Sequence, residues 1–270
     1  MRVIVTRPAA QAAPWVGSLQ AQGIDAVAVP LIVIAGPADA PAVRAAWATL
    51  PARHLVVFVS PNAAQSFFDH APSGARWPAG LRAASPGPGT TALLLRLGVA
   101  PQQIVAPAVD AAQFDSEALW KQLGGLDWRG ASVLVVRGTS GREWLTGELR
   151  AQGAAVEHLA AYRRLPPTLD PATRQLLAAA HADPGHHLWL FSSSEAVDGL
   201  ARVQAASAQG APAGGGRSFG DAGSDAFAAW RALATHPRIA ARAQQLGFAQ
   251  VLGCRPTLPA VVACIQSLRP

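Results

Sequence analysis

The chain of 270 residues holds two cysteines, one tyrosine, one lysine and few acidic side chains, and each shortage excludes something. Cys254 and Cys264 lie close together near the C-terminus with no histidine pair at metal-ligand spacing around them. Neither a zinc site nor a redox site is indicated, and the two read as small buried residues in a reducing compartment. The longest apolar run, VAVPLIVI, falls short of the ~20 residues that a membrane-spanning helix needs, and it contains a proline. The N-terminus enters a strand without the charged start and apolar stretch of a signal peptide, so a cytoplasmic protein with no membrane partner is expected. No GxGxxG follows the first strand, and no Walker A, GxSxG or HExxH pattern occurs, so the usual nucleotide, acyl-transfer and zinc-hydrolase signatures are missing. Asp and Glu total 16, and few of them fall at strand ends, which leaves no paired carboxylates for acid–base work.

What is present is basic and hydrophobic. The formal net charge is +6, the pI is about 10.8, and half of the residues are apolar. A basic balance suits an anionic partner. The 22 basic residues, however, are nearly all arginines scattered singly, which disfavours nucleic acid. Discrete guanidiniums suit a carboxylate-rich small molecule better. The length allows one large or two ordinary domains of roughly 100 to 200 residues each.

An internal echo organises the chain. Residues 3–23 and 133–153 align without a gap, sharing Val3/Val133, Val5/Val135, Arg7/Arg137, Gly17/Gly147, Leu19/Leu149, Ala21/Ala151, Gln22/Gln152 and Gly23/Gly153. Each copy reads as a β-branched strand, a turn opening on arginine, and a helix stopped by glycine, which alone adopts the left-handed conformation cheaply. A second strand follows, AVAVPLIVI in one copy and VEHLAAYRR in the other. Further along, 55–68 matches 187–200, 83–99 has a weaker partner in 233–248, and 114–123 and 257–268 each read as a last helix. Alternating strands and helices of this kind build parallel sheets, so the expected fold class is α/β with two doubly wound, flavodoxin-like domains. The Pro-rich stretches at 35–41 and 165–171 read as two linkers, which place domain A at 1–36 plus 168–270 and an inserted domain B at 37–167. The copies then belong to different domains, and Arg7 and Arg137 are expected to face one cleft. The Gly/Ala/Ser-rich stretch 205–227 reads as a mobile loop.

Ligands of doubly wound sheets bind beyond the carboxyl ends of the strands, where free helix N-termini also point. Small polar residues gather at those turns: Thr6 and Arg7; Ser60, Pro61 and Asn62; Gly87, Thr90 and Thr91; Arg137, Gly138 and Ser140; Ser192, Ser193 and Ser194; His236, Pro237 and Arg238. Serine and threonine also serve as plain helix caps, and recurrence in both halves is what favours a site. His54, His70, His158, His181, His186 and His187 read as surface or strand-edge residues, whereas His236 sits at a motif turn. Asp115 and Glu117 open a helix, where acidic residues complement the dipole. For Tyr162, the single tyrosine, packing at the domain junction and a functional role stay equally open.

Ordered motifs run along the chain: VTRP (5–8), FVSPNAA (58–64), GPGTTALL (87–94), DSEAL (115–119), VLVVRGTSGREWL (133–145), AYRR (161–164), LFSSSEAV (190–197) and HPRIAARAQQLGF (236–248). Their order and spacing carry a resemblance: the chain resembles the uroporphyrinogen-III synthase family along essentially its whole length. It implies a monomeric cytoplasmic lyase that converts hydroxymethylbilane, a polycarboxylate, to uroporphyrinogen III and water without metal or cofactor. It nominates Tyr162 as the acid or hydrogen-bond donor on the hydroxyl side. Ser60, Thr90, Thr91, Ser116, Gly138, Ser192, Ser193, His236 and Pro237 become candidate substrate contacts, with Arg7, Arg137, Arg142 and Arg238 as carboxylate partners. One departure stands out: Ile239 falls where many members carry threonine, which motivates an alternative reading as a non-catalytic module that binds a tetrapyrrole or another polyanion. A two-domain solute receptor would require an export signal that the sequence does not show.

Overall fold

The computed structural model describes residues 1–209 and 224–268. The chain opens with β1 (Arg2–Val5), α1 (Ala9–Ala21) and β2 (Ala26–Ala28). It continues through β3 (Val33–Ala35), α2 (Ala40–Thr49), β4 (Leu55–Phe58), α3 (Pro61–Asp69), β5 (Arg82–Ala84), α4 (Pro88–Arg96), β6 (Ile104–Val105) and α5 (Ser116–Leu123). Then follow β7 (Ser132–Gly138), α6 (Trp144–Ala151), β8 (Ala155–Leu165) and α7 (Pro171–Ala182). The last described elements are β9 (His187–Phe191), α8 (Ser194–Gln209), β10 (Arg231–Ala234), α9 (Pro237–Gln245), β11 (Gln250–Gly253) and α10 (Leu258–Ser267). By contacts the chain divides into two compact units, Met1–Val33 with Leu165–Pro270, and Ile34–Arg164. The division falls inside β3 and β8, so the chain crosses from unit to unit along extended strands, ahead of the proline-rich stretches.

The first unit holds a five-stranded sheet in the order β11-β10-β9-β1-β2, with β1 parallel to both β2 and β9 and β10 parallel to both β9 and β11. Counted along the chain, that is the flavodoxin-like order, whose switch point lies between its first and third strands, here β1 and β9. The second unit holds a six-stranded sheet, β3-β8-β7-β4-β5-β6. If β7 is taken as the first strand, its five strands β8-β7-β4-β5-β6 repeat the same spatial order, and the switch point falls between β7 and β4. The echo in the sequence therefore maps onto equivalent positions: β1-α1-β2 corresponds to β7-α6-β8, and β9-α8 to β4-α3. Gly23 and Gly153 adopt φ of 69° and 90° just beyond α1 and α6, the left-handed stop expected of both copies.

The central strands are apolar because both of their faces are covered. Val3, Ile4 and Val5 of β1, and all four residues of β4, are buried. In the second unit, Phe58, Phe67, Leu94 and Leu134 pack on one face of the sheet, and Leu55, Leu119, Val133 and Leu149 on the other.

Three expectations need correcting. The run AVAVPLIVI is two strands, not one: β2 and β3 lie in different sheets, with Pro30, which cannot donate to a ladder, in the break. The stretch 205–227 begins as helix, since α8 continues through its alanines to Gln209, and Ser224–Phe227 forms a 3-10 turn; residues 210–223 lie outside the described residues. His187 is buried in β9 and bonds the Asp183 carbonyl through Nδ1 at 2.8 Å. Among the described residues no helix is long and apolar enough to cross a membrane.

Candidate functional site

In the second unit the switch point collects Ser60, Gly138 and Tyr162. Ser60 ends the segment after β4 in extended conformation and caps α3, with its Oγ accepting the Ala63 N–H at 3.2 Å. A bulge in β8 brings Tyr162 to the same place: Arg137 pairs with Ala160 but Gly138 pairs with Tyr162, so Ala161 is the extra residue. Glycine at 138 permits the approach, since a Cβ there would stand 3.1 Å from Tyr162 Cζ. Tyr162 is fully buried. Its hydroxyl lies 3.2 Å from Ser60 Oγ and accepts a hydrogen bond from Arg164 Nη2 at 2.6 Å, and the Arg164 guanidinium carbon sits 5.1 Å from the ring centroid. Arg164 Nη1 also donates to the Ser140 carbonyl at 3.3 Å. Arg164 belongs to the quoted AYRR motif, yet nothing in residue type alone separated it from Arg163, whose Nε turns to the Gly36 carbonyl at 3.1 Å.

The neighbouring turn after β5 carries the two threonines. Gly87 caps α4 and accepts both the Thr90 and the Thr91 N–H at 3.1 Å. Thr91 Oγ1 is taken up by the fully buried Ser85 Oγ at 2.6 Å, so it braces the turn. The Thr90 side chain is nearly fully buried in the first turn of α4, and its hydroxyl has no hydrogen-bond partner among the described residues. Ser116 opens α5 behind the Asp115 cap, which accepts the Ala118 N–H at 2.8 Å.

Two of the predicted carboxylate partners are already matched. Arg137 is buried and its Nη1 donates to Glu143, whose carboxyl it holds below the usual carboxylate range. His158 stands beside this pair: Nε2 is 2.9 Å from Thr146 Oγ1 and 3.6 Å from Glu143 Oε2. Burial pushes its pKa down, and Glu143 opposes that shift. Sequence reasoning left His158 aside; its spacing to Glu143 spans a helix and shows no pattern along the chain. Arg142 lies in a two-point ion pair with Glu117, Nη1 to Oε2 at 3.0 Å, which raises the guanidinium's pKa.

In the first unit the switch point lies between β1 and β9. Arg7 follows β1 and lays its guanidinium over Trp15, 4.4 Å from the ring centroid. Its Nε is buried without a hydrogen-bond partner among the described residues, and burial brings its pKa down to about 10. Of the three arginines Arg7, Arg137 and Arg142, only Arg7 has no acidic partner among the described residues. Ser193 accepts the Ala196 N–H at 3.2 Å at the start of α8, with half-buried Ser192 before it. His236 caps α9, its Nδ1 accepting the Arg238 N–H at 3.1 Å, which leaves Nε2 as the protonated, donating nitrogen. Pro237 and Arg238 are exposed, while Ile239 is buried and serves packing.

Hydroxyls, an imidazole and a desolvated guanidinium stand at the carboxyl ends of two flavodoxin-like parallel sheets, the edge at which α/β proteins of this class bind their ligands. Comparison with known proteins gives the particular family. The model HEM4, uroporphyrinogen-III synthase HemD, matches residues 13–263, and the chain belongs to that family. Its members are lyases of tetrapyrrole biosynthesis, EC 4.2.1.75. Two solved structures share the fold. A substituted uroporphyrinogen III synthase from Thermus thermophilus matches with 17% identity and a TM-score of 0.60, over 99% of this chain and 96% of its own. The uroporphyrinogen-III synthetase of Helicobacter pylori matches with 14% identity and a TM-score of 0.56, over 100% of both chains.

Proposed function

We propose that this chain cyclises hydroxymethylbilane to uroporphyrinogen III, acting as a cytoplasmic monomer without metal or cofactor and with domains cut near residues 36 and 167. Family membership carries the reading, and the donor-lined turns agree with it. In the reaction the terminal hydroxyl leaves as water, pushed out by the pyrrole nitrogen, to give an azafulvene. The substituted carbon of ring D attacks, and fragmentation and reclosure of the resulting spiro intermediate invert that ring. The protein's share is to hold the reacting ends together, worth roughly 7 to 11 kcal/mol in favourable cases, and to assist the departing hydroxyl.

Tyr162 is the group assigned to that assistance, with Ser60 and Thr90 as donors beside it. Thr90 suits the role because its hydroxyl is uncommitted, whereas Thr91 and Gly138 shape the turns. Ser116, Ser192, Ser193, His236 and the Arg238 side chain offer donors to carboxylates; Pro237, which has no N–H, shapes that turn, and the Arg238 N–H is held by His236 Nδ1. Arg7 is the readiest carboxylate partner, and its desolvation strengthens any ion pair it makes. Arg137 and Arg142 take a substrate carboxylate by exchanging Glu143 and Glu117 for it. Incubation with hydroxymethylbilane followed by oxidation and separation of porphyrin isomers tests the reading. Type III product is expected; type I alone, which forms spontaneously, overturns it.

A further inference from the structure

The Tyr162 side chain is wholly buried in this arrangement, so its assistance to a departing hydroxyl must pass through a neighbour. Its hydroxyl nevertheless has a defined polarity. Arg164 can only donate, so the 2.6 Å contact makes the tyrosine oxygen an acceptor. The tyrosine proton must then find an acceptor of its own, since a buried donor left unmatched keeps the full cost of its desolvation. Ser60 Oγ, at 3.2 Å, is the acceptor on offer. Ser60 Oγ also accepts the Ala63 N–H at 3.2 Å, so both of its lone pairs are committed. Its own proton is left over, and Ser60 is half-buried, at the mouth of the switch point.

We infer that Arg164, Tyr162 and Ser60 form a one-way donor chain in which Ser60 O–H is the terminal donor to the substrate's departing hydroxyl. Tyr162 and Arg164 act through it as positioning residues. Each bond polarises the next in the same sense. As the carbon–oxygen bond of the substrate breaks, the Ser60 proton passes to the leaving oxygen. The Tyr162 proton passes to Ser60, and the tyrosinate left behind is held by Arg164 until bulk water reprotonates the chain. This deepens the proposed synthase reading and rests on it.

Arg164→Met is expected to lower kcat about tenfold with KM unchanged, and Arg164→Lys to restore most of the loss. Ser60→Gly, which keeps the helix cap nearly as well as serine does, is expected to lower kcat about 100-fold, the loss typical of one well-aimed donor. A rise in KM alone for Arg164→Met would make Arg164 a carboxylate binder and overturn the chain. A Ser60→Gly enzyme with normal kcat would do the same. Since Tyr162 is the sole tyrosine, a 13C label at tyrosine Cζ gives one resonance that reports the hydroxyl's hydrogen bonds without reference to turnover. It is expected to shift in Arg164→Met and again in Ser60→Gly, and an unmoved signal in either variant overturns the polarity. If the wild type yields only type I isomer, the catalytic reading falls, and the Cζ resonance still decides the hydrogen-bond chain by itself.

Discussion

Gly138→Ala adds one methyl group at the most crowded point of the second unit's switch point. The three atoms nearest to the new Cβ all belong to Tyr162: Cζ at 3.1 Å, Cε2 at 3.2 Å and the hydroxyl at 3.4 Å. These distances are a few tenths of an ångström too short, and the ring has little room to move, being fully buried and bonded by Arg164. Overpacking of this kind costs about 1 to 3 kcal/mol. The more restricted unfolded chain returns about 0.5 to 1 kcal/mol, so a net loss centred on about 1 kcal/mol, and at most about 2.5, is expected. The same ring movement stretches the 3.2 Å contact to Ser60 beyond the range of a useful hydrogen bond, about 3.5 Å, so turnover falls with stability. Gly147→Ala is the control: Gly147 lies in α6 of the same unit, and a Cβ there meets nothing within 4 Å. That variant is expected to gain about 0.5 to 1 kcal/mol. Urea unfolding of both variants beside the wild type reads the difference. A Gly138→Ala protein as stable and active as Gly147→Ala would refute the packing argument.

Arg7→Met keeps the apolar cover on Trp15 and removes the unmatched Nε, so stability at neutral pH is expected to rise by about 1 kcal/mol, while the KM for substrate rises about tenfold. Because burial lowers the Arg7 pKa from the ordinary guanidinium value to about 10, its burial cost is present in full below that pH. The cost declines as the pH rises from there toward the ordinary guanidinium pKa, so the variant's stability advantage should shrink across that alkaline range. Glu143 has the opposite dependence: its carboxyl is depressed below 4.5, first of all by the hydrogen bond from Arg137. The stabilisation is present above that ordinary value and disappears as the pH falls through the folded-state pKa. Glu143→Gln should therefore flatten the acid limb of the stability profile and push the His158 pKa further below 6.5, read by NMR titration, because Glu143 is the group that raises it.

Much of the fold was legible because the signals were local and repeated. Valine-rich strands, arginine turns and the stops at Gly23 and Gly153 recur in both halves, and the structure sets them at equivalent places in the two sheets. The break in AVAVPLIVI was marked by Pro30, but which sheet each half joins is a long-range choice that periodicity does not carry. In the site, the cap positions were readable from residue type: Ser60, Ser193 and His236 all accept backbone N–H groups at helix starts. Commitments between side chains were not readable, even across six residues. Arg137 with Glu143, Arg142 with Glu117 and Thr91 with Ser85 consume groups that the sequence offered as free donors. The placement of Tyr162 against Gly138 depends on a one-residue bulge at Ala161, and residue type does not announce a bulge.

The isomer ratio of the porphyrins formed from hydroxymethylbilane, followed over time with wild-type protein, with Tyr162→Phe and in buffer alone, tests the central claim most directly. The account predicts type III as the main product of the wild type, and for Tyr162→Phe a folded protein whose ratio moves toward the type I product of buffer. A wild-type ratio identical to that of buffer would contradict it.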